Sequence, residues 1–202
     1  QKVRFDSPSG FDPGESMNGQ MFPFQRAIAR WACRRGRSAV WADCGLGKTI
    51  ISLEWLRLVT EREGGSGLVL TPLAVAEQFA EEGQKFGIHV NVCRDGSEVQ
   101  PGINVTNYER LHRFDVSQFV AVVADESSIL KDYSSSTRNL LIDSFARTPY
   151  RMACTATPAP NDHIELGNHA EFLGALTRTE MLSTFFVHDG GDTQSWRLKR
   201  HA

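Results

Sequence analysis

Lys48 and Thr49 close a short run, Asp43-Cys44-Gly45-Leu46-Gly47-Lys48-Thr49, whose residue types and order suit phosphate binding. Gly45 and Gly47 let the backbone curl so that successive N–H groups face one concavity. A helix starting there adds the positive end of its dipole. Residues 45–49, Leu46 included, would cradle the phosphates, Lys48 would reach the outer ones, and the Thr49 hydroxyl would enter a Mg²⁺ shell. Ala42 stands where the general G-x-x-x-x-G-K-[ST] pattern has its first glycine. A second chemical pair, Asp125-Glu126, follows directly on the apolar residues 120–124. At a strand end, one carboxylate can hold metal-bound water while the next polarises an attacking water. Asp125 is thus assigned with Thr49 to the metal, and Glu126 to the general base. Thr155-Ala156-Thr157-Pro158 is uninformative alone, but it comes third in order after the other two. Ligands of α/β sheets collect at the strands' carboxyl ends, which would set Thr155 and Thr157 beside the outermost phosphate as coupling residues.

These motifs need elements to hold them. Residues 38–42 read as a strand and 50–56 as a helix, the context a phosphate loop requires. Helical spacing over 24–35 puts Phe24, Ala27, Ile28 and Trp31 on one face. Residues 67–71 form a buried-strand candidate, and 73–86 an amphipathic helix begun by Pro72. Residues 88–92, 103–106, 119–124 and 150–154 read as strands, and 137–145 as a helix. This alternation predicts an α/β fold with a mainly parallel sheet and helices on both faces. Turn chemistry (Ser-Pro-Ser-Gly, Asp-Pro-Gly, Asn-Gly) marks residues 1–21 as an irregular lead-in. From Asp162 onward the pattern is helical, then loop-rich at 188–192.

The 202 residues are 41% hydrophobic and carry a net charge of −2. With a pI near 6.3 there is no overall basic field, so nucleic-acid binding would need a local patch. Cys33, Cys44, Cys93 and Cys154 form no C-x-x-C pair and read as buried thiols of a reducing compartment. His163 and His169 lack a metal-binding frame and are expected on a helix surface or in the core. Trp31, Trp41 and Trp55 are expected in the core. No apolar run reaches membrane-spanning length, and no signal peptide is visible. A start at Gln1 and a stop at Ala202 without a closing signal read as an excised fragment.

Taken together, Gly45-Leu46-Gly47-Lys48-Thr49, Asp125-Glu126-Ser127-Ser128 and Thr155-Ala156-Thr157-Pro158 resemble motifs I, II and III of superfamily 2 helicases and translocases. Phe24-Gln25-Arg26-Ala27-Ile28 resembles the upstream glutamine motif, which implies that Gln25 reads the adenine edge. Leu70-Thr71-Pro72 and Val105-Thr106-Asn107-Tyr108-Glu109 resemble motifs Ia and Ib. That likeness implies contacts of Thr71, Pro72, Thr106 and Asn107, with Lys131 nearby, to a nucleic-acid backbone. Arg110, Arg113, Lys131 and Arg138 follow these motifs and suit either phosphate contact or a solvated face. The G-L-G-K-T loop, the T-N-Y-E form and the run Asp125-Glu126-Ser127-Ser128-Ile129-Leu130-Lys131 are most similar to the Swi/Snf-like branch, and within it to helicases of phages and prophages.

The resemblance spans about residues 22–160 and implies a RecA-like P-loop NTPase lobe that binds ATP and Mg²⁺. It implies duplex DNA and a second RecA-like lobe as partners, with residues 161–202 a helical extension toward that lobe. A phage or prophage protein of this kind would work in the cytoplasm of a bacterial host. Ser127-Ser128 replaces the Ala-His or Ala-Asp of better-known boxes, leaving the coupling role of those positions open. No arginine-finger segment like Q-R-x-x-R-x-x-R is present, so the chain reads as the first motor lobe, with little activity by itself. A phage DNA-packaging ATPase and a non-catalytic nucleotide-binding or interaction module remain as alternatives.

Overall fold

Strands β1 (Arg37–Trp41), β2 (Ser66–Thr71), β3 (Val90–Val92), β4 (Gly102–Asn107), β5 (Phe119–Asp125) and β6 (Tyr150–Thr155) form one sheet. Their order is β1-β6-β5-β2-β4-β3, and every neighbouring pair is parallel. The structure is a computed structural model that describes residues 7–131, 136–159, 163–188 and 196–199. Both faces of the sheet are covered, which is why β5 is apolar from Phe119 to Ala124 rather than alternating. Val69, Val105, Ala121 and Val123 face a core shared with α1 (Pro23–Arg35), α2 (Lys48–Glu63) and α3 (Ala76–Lys85). Leu68, Leu70, Val122 and Ala124 face a second core with Leu141 of α4 (Ser136–Ser144) and Phe172 of α5 (Leu166–Leu173). The expected α/β architecture is therefore present.

Helix α2 is buried nearly all round, from Ile50 to Thr60, because α1 and α3 flank it against the sheet. It lies so close to β2 that a Cβ on Gly67 would sit 2.8 Å from Leu56 Cγ. After α5 come α6 (Arg178–Phe185) and a two-stranded antiparallel hairpin, β7 (Phe186–His188) with β8 (Trp196–Leu198).

Several local expectations fail for physical reasons. The buried stripe of α1 is Gln25, Ala29, Ala32 and Cys33; Phe24 and Trp31 face outward. Small residues let α1 approach α2 closely, and that outweighs the bulk of the aromatics. Trp31 and Trp41 are 47% and 48% exposed; of the tryptophans expected in the core, only Trp55 is buried there. Trp41 ends β1, the edge strand. The helix expected over 73–86 begins as a 3-10 turn, Leu73–Val75, before α3. Cys44 is exposed; the other three thiols are buried, and burial pushes Cys33 up to about 12 and Cys93 up to about 11. The hairpin was not anticipated, and most of the loop expected near 188–192 lies outside the described residues.

Residues 7–21 form no helix or strand, yet they are tied down. The fully buried Glu54 carboxylate accepts Asn18 N–H at 2.7 Å and the Arg57 guanidinium at 2.8 and 2.9 Å. Arg57 also donates to Ser16 O at 2.7 Å, and Asn18 Nδ2 to Phe86 O at 2.8 Å. Removing one member of such a pair strands the other. Glu54→Ala is expected to cost about 3 kcal/mol in urea unfolding, and a loss under about 1 kcal/mol would show that the cluster does not anchor the lead-in.

Candidate active site

Strand β6 lies between β1 and β5, and the register pairs Trp41 with Thr155 and Asp125 with Cys154. The loop after β1, the acidic pair at the end of β5 and the threonines at the end of β6 therefore leave the sheet side by side at its carboxyl edge. Backbone pairing alone brings the three motifs together.

Beyond β1 the chain turns through residues 42–47, with Gly45 and Gly47 at φ 80° and 79°. Gly47 precedes α2 without any side-chain cap, so the first amides of α2 and its dipole end remain for an anion. Half-buried Lys48 folds back along the loop and donates from Nζ to Ala42 O at 3.0 Å and Asp43 O at 3.4 Å. Leu46 is exposed at the loop tip and Thr49 is half-buried. Gln25 reaches the loop from α1: its Nε2 donates to Leu46 O at 3.2 Å, and its Oε1 accepts Phe22 N–H at 3.0 Å. A side chain at Gly47 would collide with that amide, a second reason for glycine there. Gln25 keeps one N–H and one lone pair beyond these bonds.

At the end of β5, Asp125 is 6% exposed, and burial pushes its carboxyl up to about 6. Thr71 Oγ1 donates to Asp125 Oδ2 at 3.1 Å, which favours the charged form, while neighbouring Glu126 opposes it. The Tyr108 hydroxyl donates to Asp125 O at 2.6 Å. Glu126 is half-buried and takes φ 49°, the one non-glycine residue among those described with a left-handed backbone. Such a conformation costs about 1–2 kcal/mol and persists only where its surroundings hold it. Thr155, fully buried, accepts Thr157 N–H at 3.1 Å on Oγ1, and Thr157 is exposed.

The residues expected to touch nucleic acid divide differently. Thr71, Thr106 and Asn107 are buried. Thr71 is engaged with Asp125, and Asn107 Oδ1 accepts Arg110 N–H at 3.1 Å to start the 3-10 turn Tyr108–Arg113. As placed, these side chains build the lobe rather than its surface. Pro72 and Arg110 are half-buried and Arg113 is exposed. Lys131 ends the 3-10 turn Ser127–Lys131, and its side chain lies outside the described residues. Arg138 is neither solvated nor surface-facing: it is buried against Asn168, Asn139 and Glu171. Sequence reasoning gave no role to Tyr108 or to His169, which is core as expected, while His163 is exposed. A phenol placed directly after a buried strand needs a partner for its hydroxyl, and that was the available signal for Tyr108.

No protein-family model matches the chain. Protein p41 of Acyrthosiphon pisum secondary endosymbiont phage 1 is 28% identical over 181 residues, covering 75% of this chain and 38% of that protein. The SWI2/SNF2 ATPase core of Sulfolobus solfataricus, solved in complex with dsDNA, superposes with a TM-score of 0.69 at 22% identity, over 92% of this chain and 41% of that one. The UvsW helicase of bacteriophage T4 gives 0.61 at 12% identity, over 77% and 58%. The helicase domain of Pyrococcus furiosus Hef gives 0.63 at 18%, over 77% and 36%. The chain thus shares the RecA-like α/β fold of these ATPase and helicase cores. At these identities the likeness is one of fold, and the chain spans about two fifths of the phage relative and of the SWI2/SNF2 core. No helix of this lobe, among the described residues, is long and apolar enough to cross a membrane.

Burial of Asp125 has a measurable consequence. With a pKa raised from 3.8 to about 6, the carboxyl favours the fold when protonated, so its contribution is lost as pH rises from about 4 through 6. That displacement corresponds to about 3 kcal/mol. Without nucleotide or metal, Asp125→Asn should be more stable than the parent at pH 7.5 by up to that amount, with the gain vanishing near pH 4. Equal stability in denaturant titrations at both pH values would refute the burial account.

Proposed function

We propose that this chain is the first ATPase lobe of an ATP-dependent translocase acting on double-stranded DNA, and that Mg-ATP binds at the carboxyl edge of its sheet. The observation that carries this reading is the β1-β6-β5 register, which gathers the loop of Lys48, the Asp125-Glu126 pair and Thr155 at one edge.

Residues 45–47 and the first amides of α2 would hold the phosphates, with Lys48 exchanging its two carbonyl partners for phosphate oxygens. The Thr49 hydroxyl and the Asp125 carboxylate are hard oxygen donors that suit Mg²⁺, and a buried carboxylate gains most from a cation. No cluster of three or more His, Cys, Asp or Glu could hold a metal among the described residues. A cation shared with substrate phosphates fits that donor set. When bound, Mg²⁺ would offset the charge gathering on the phosphates. Glu126 would polarise the attacking water, and Thr155 and Thr157 would report the state of the outermost phosphate. Gln25 retains the donor and acceptor needed for an adenine edge. The exposed rings of Phe22 and Phe24, stacked at 6.2 Å, offer apolar surface beside it.

DNA would run past the ends of β2 and β4, over Pro72, Arg110, Arg113 and Lys131. Contact would be with backbone phosphate, so binding should be sequence-tolerant and salt-sensitive. The dsDNA complex of the SWI2/SNF2 core supports duplex as the substrate, and the p41 relative supports a phage-encoded protein acting in a host cell. A second lobe would supply the charge-stabilising arginine, an element worth about 10³–10⁵ in rate.

Lys48→Ala should weaken ATP binding to this chain by about tenfold to a hundredfold, the worth of a charge-assisted hydrogen bond, while unfolding is unchanged. Calorimetry returning the same affinity for both proteins would remove the phosphate-loop assignment.

Glu126 separates binding from turnover. In a protein that carries both lobes, Glu126→Gln should reduce DNA-stimulated hydrolysis by about 10²–10⁴ and leave ATP affinity intact. Residues 1–202 alone should hydrolyse ATP near background. Robust DNA-stimulated turnover by those residues alone would contradict the need for a second lobe.

A further inference from the structure

Glu126 holds a left-handed backbone at φ 49°, and something must prevent it from relaxing. On its N-terminal side the Tyr108 hydroxyl fixes Asp125 O at 2.6 Å. On its C-terminal side, the Oγ of fully buried Ser127 lies 3.4 Å from Nδ1 of His169 on α5. His169 is 2% exposed and touches two further parts of the site. Its ring meets the edge of Trp41, the last residue before the phosphate loop, at 5.9 Å between centroids. The backbone of Pro158, at the end of the threonine motif, lies close enough to the ring to favour its charged form. Burial holds the His169 pKa below its ordinary value, leaving the ring neutral at pH 7, with one donor and one acceptor. In the tautomer that accepts the Ser127 hydroxyl at Nδ1, the proton is on Nε2.

The adjacent residue of α5 strengthens this junction. Asn168, fully buried, donates to Leu130 O at the far end of the same turn, and its Oδ1 accepts Arg138 Nε at 2.9 Å. Asn168 and His169 thus grip both ends of the turn that follows the acidic pair. Among the described residues, His169 and Trp41 also line an apolar cavity of about 470 Å³.

We infer that His169 is a positioning residue for Glu126: from α5 it pairs with Ser127, packs against Trp41 and lies beside the Pro158 backbone, and so links the three motifs where Ser127-Ser128 replaces the usual Ala-His or Ala-Asp. The inference rests on the nucleotide-site reading above, in which Glu126 activates water. A serine hydroxyl and a histidine borrowed from another helix do the linking.

The test is hydrogen exchange by mass spectrometry on the 202-residue chain. His169→Ala should speed exchange over residues 126–130 by about tenfold, the scale of one lost buried hydrogen bond, while residues 119–124 keep their protection. Because His169→Ala enlarges a cavity, Ser127→Ala serves as the second variant, since it removes only the hydroxyl. It should reproduce the local effect, and the double variant should add little. His169→Asn, which returns an acceptor near the Nδ1 position, should restore most of the protection. In a two-lobe protein, both alanine variants should lower kcat about tenfold with ATP affinity and KM unchanged. Parent-like exchange over 126–130 in both alanine variants would overturn the inference. Failure of the parent chain to bind ATP would count against the nucleotide reading instead, and the exchange data would still decide the role of His169.

Discussion

The parallel pairing of β1, β6 and β5 is the constraint on which the candidate site depends. Parallel strands all end at the same edge, so loops remote in sequence become neighbours without any side chain spanning the gap. The pairing has to be exact in register as well as direction. A slip of one residue in β5 would replace Asp125 with Ala124 or Glu126 and turn Val122 and Ala124 toward the opposite core. Two cores, one on each face, make that slip costly. The apolar residues of the two cores therefore fix where the carboxylates lie.

That arrangement creates an electrostatic problem at Asp125. A carboxylate with 6% exposure is disfavoured in its charged form, and the fold answers with hydrogen-bond donors and, more weakly, the nearby Lys48 charge. Thr71 from β2 donates to the carboxylate, and Tyr108 from the turn after β4 donates to the main-chain carbonyl. Both residues belong to segments that resemble nucleic-acid-contacting motifs, yet both side chains point at the acidic pair. A shift in the turns after β2 or β4 would thus be felt at Asp125 through a single hydrogen bond from each. This is a short physical route from the surface proposed for DNA to the residues proposed for hydrolysis.

What the sequence revealed, and what it hid, follows from the range of each interaction. Strands buried on both faces read as continuous apolar runs, so β2, β4, β5 and β6 were legible to within a residue or two. The turn between β1 and α2 was legible because glycines at 45 and 47 meet a local geometric need. The inward face of α1 was not, because close helix packing selects Ala29, Ala32 and Cys33 over Phe24 and Trp31. The partner of Thr71 lies 54 residues away and that of Tyr108 lies 17 away, and spacing carries no trace of either. His169 was a solitary histidine until α5 packed beside β1 and β6.

The place of α5 changes how the segment after the threonine motif should be regarded. By sequence it began an extension, because the recognisable motifs end near residue 160. In the fold, Phe172 of α5 is fully buried in the second core. The buried Arg151 of β6 reaches across to it, donating to Phe172 O at 2.6 Å as well as to Ala146 O at 3.0 Å and Thr148 O at 3.0 Å. An arginine whose donors are spent on main-chain carbonyls fixes the strand–helix spacing more firmly than apolar contact alone, since losing an acceptor would strand a buried charge. Residues 166–173 therefore belong to the same packed unit as β6, and a boundary drawn at 160 would cut through its core. Motion in α5 would be carried into β6 and, through Ser127, to the turn that carries Glu126.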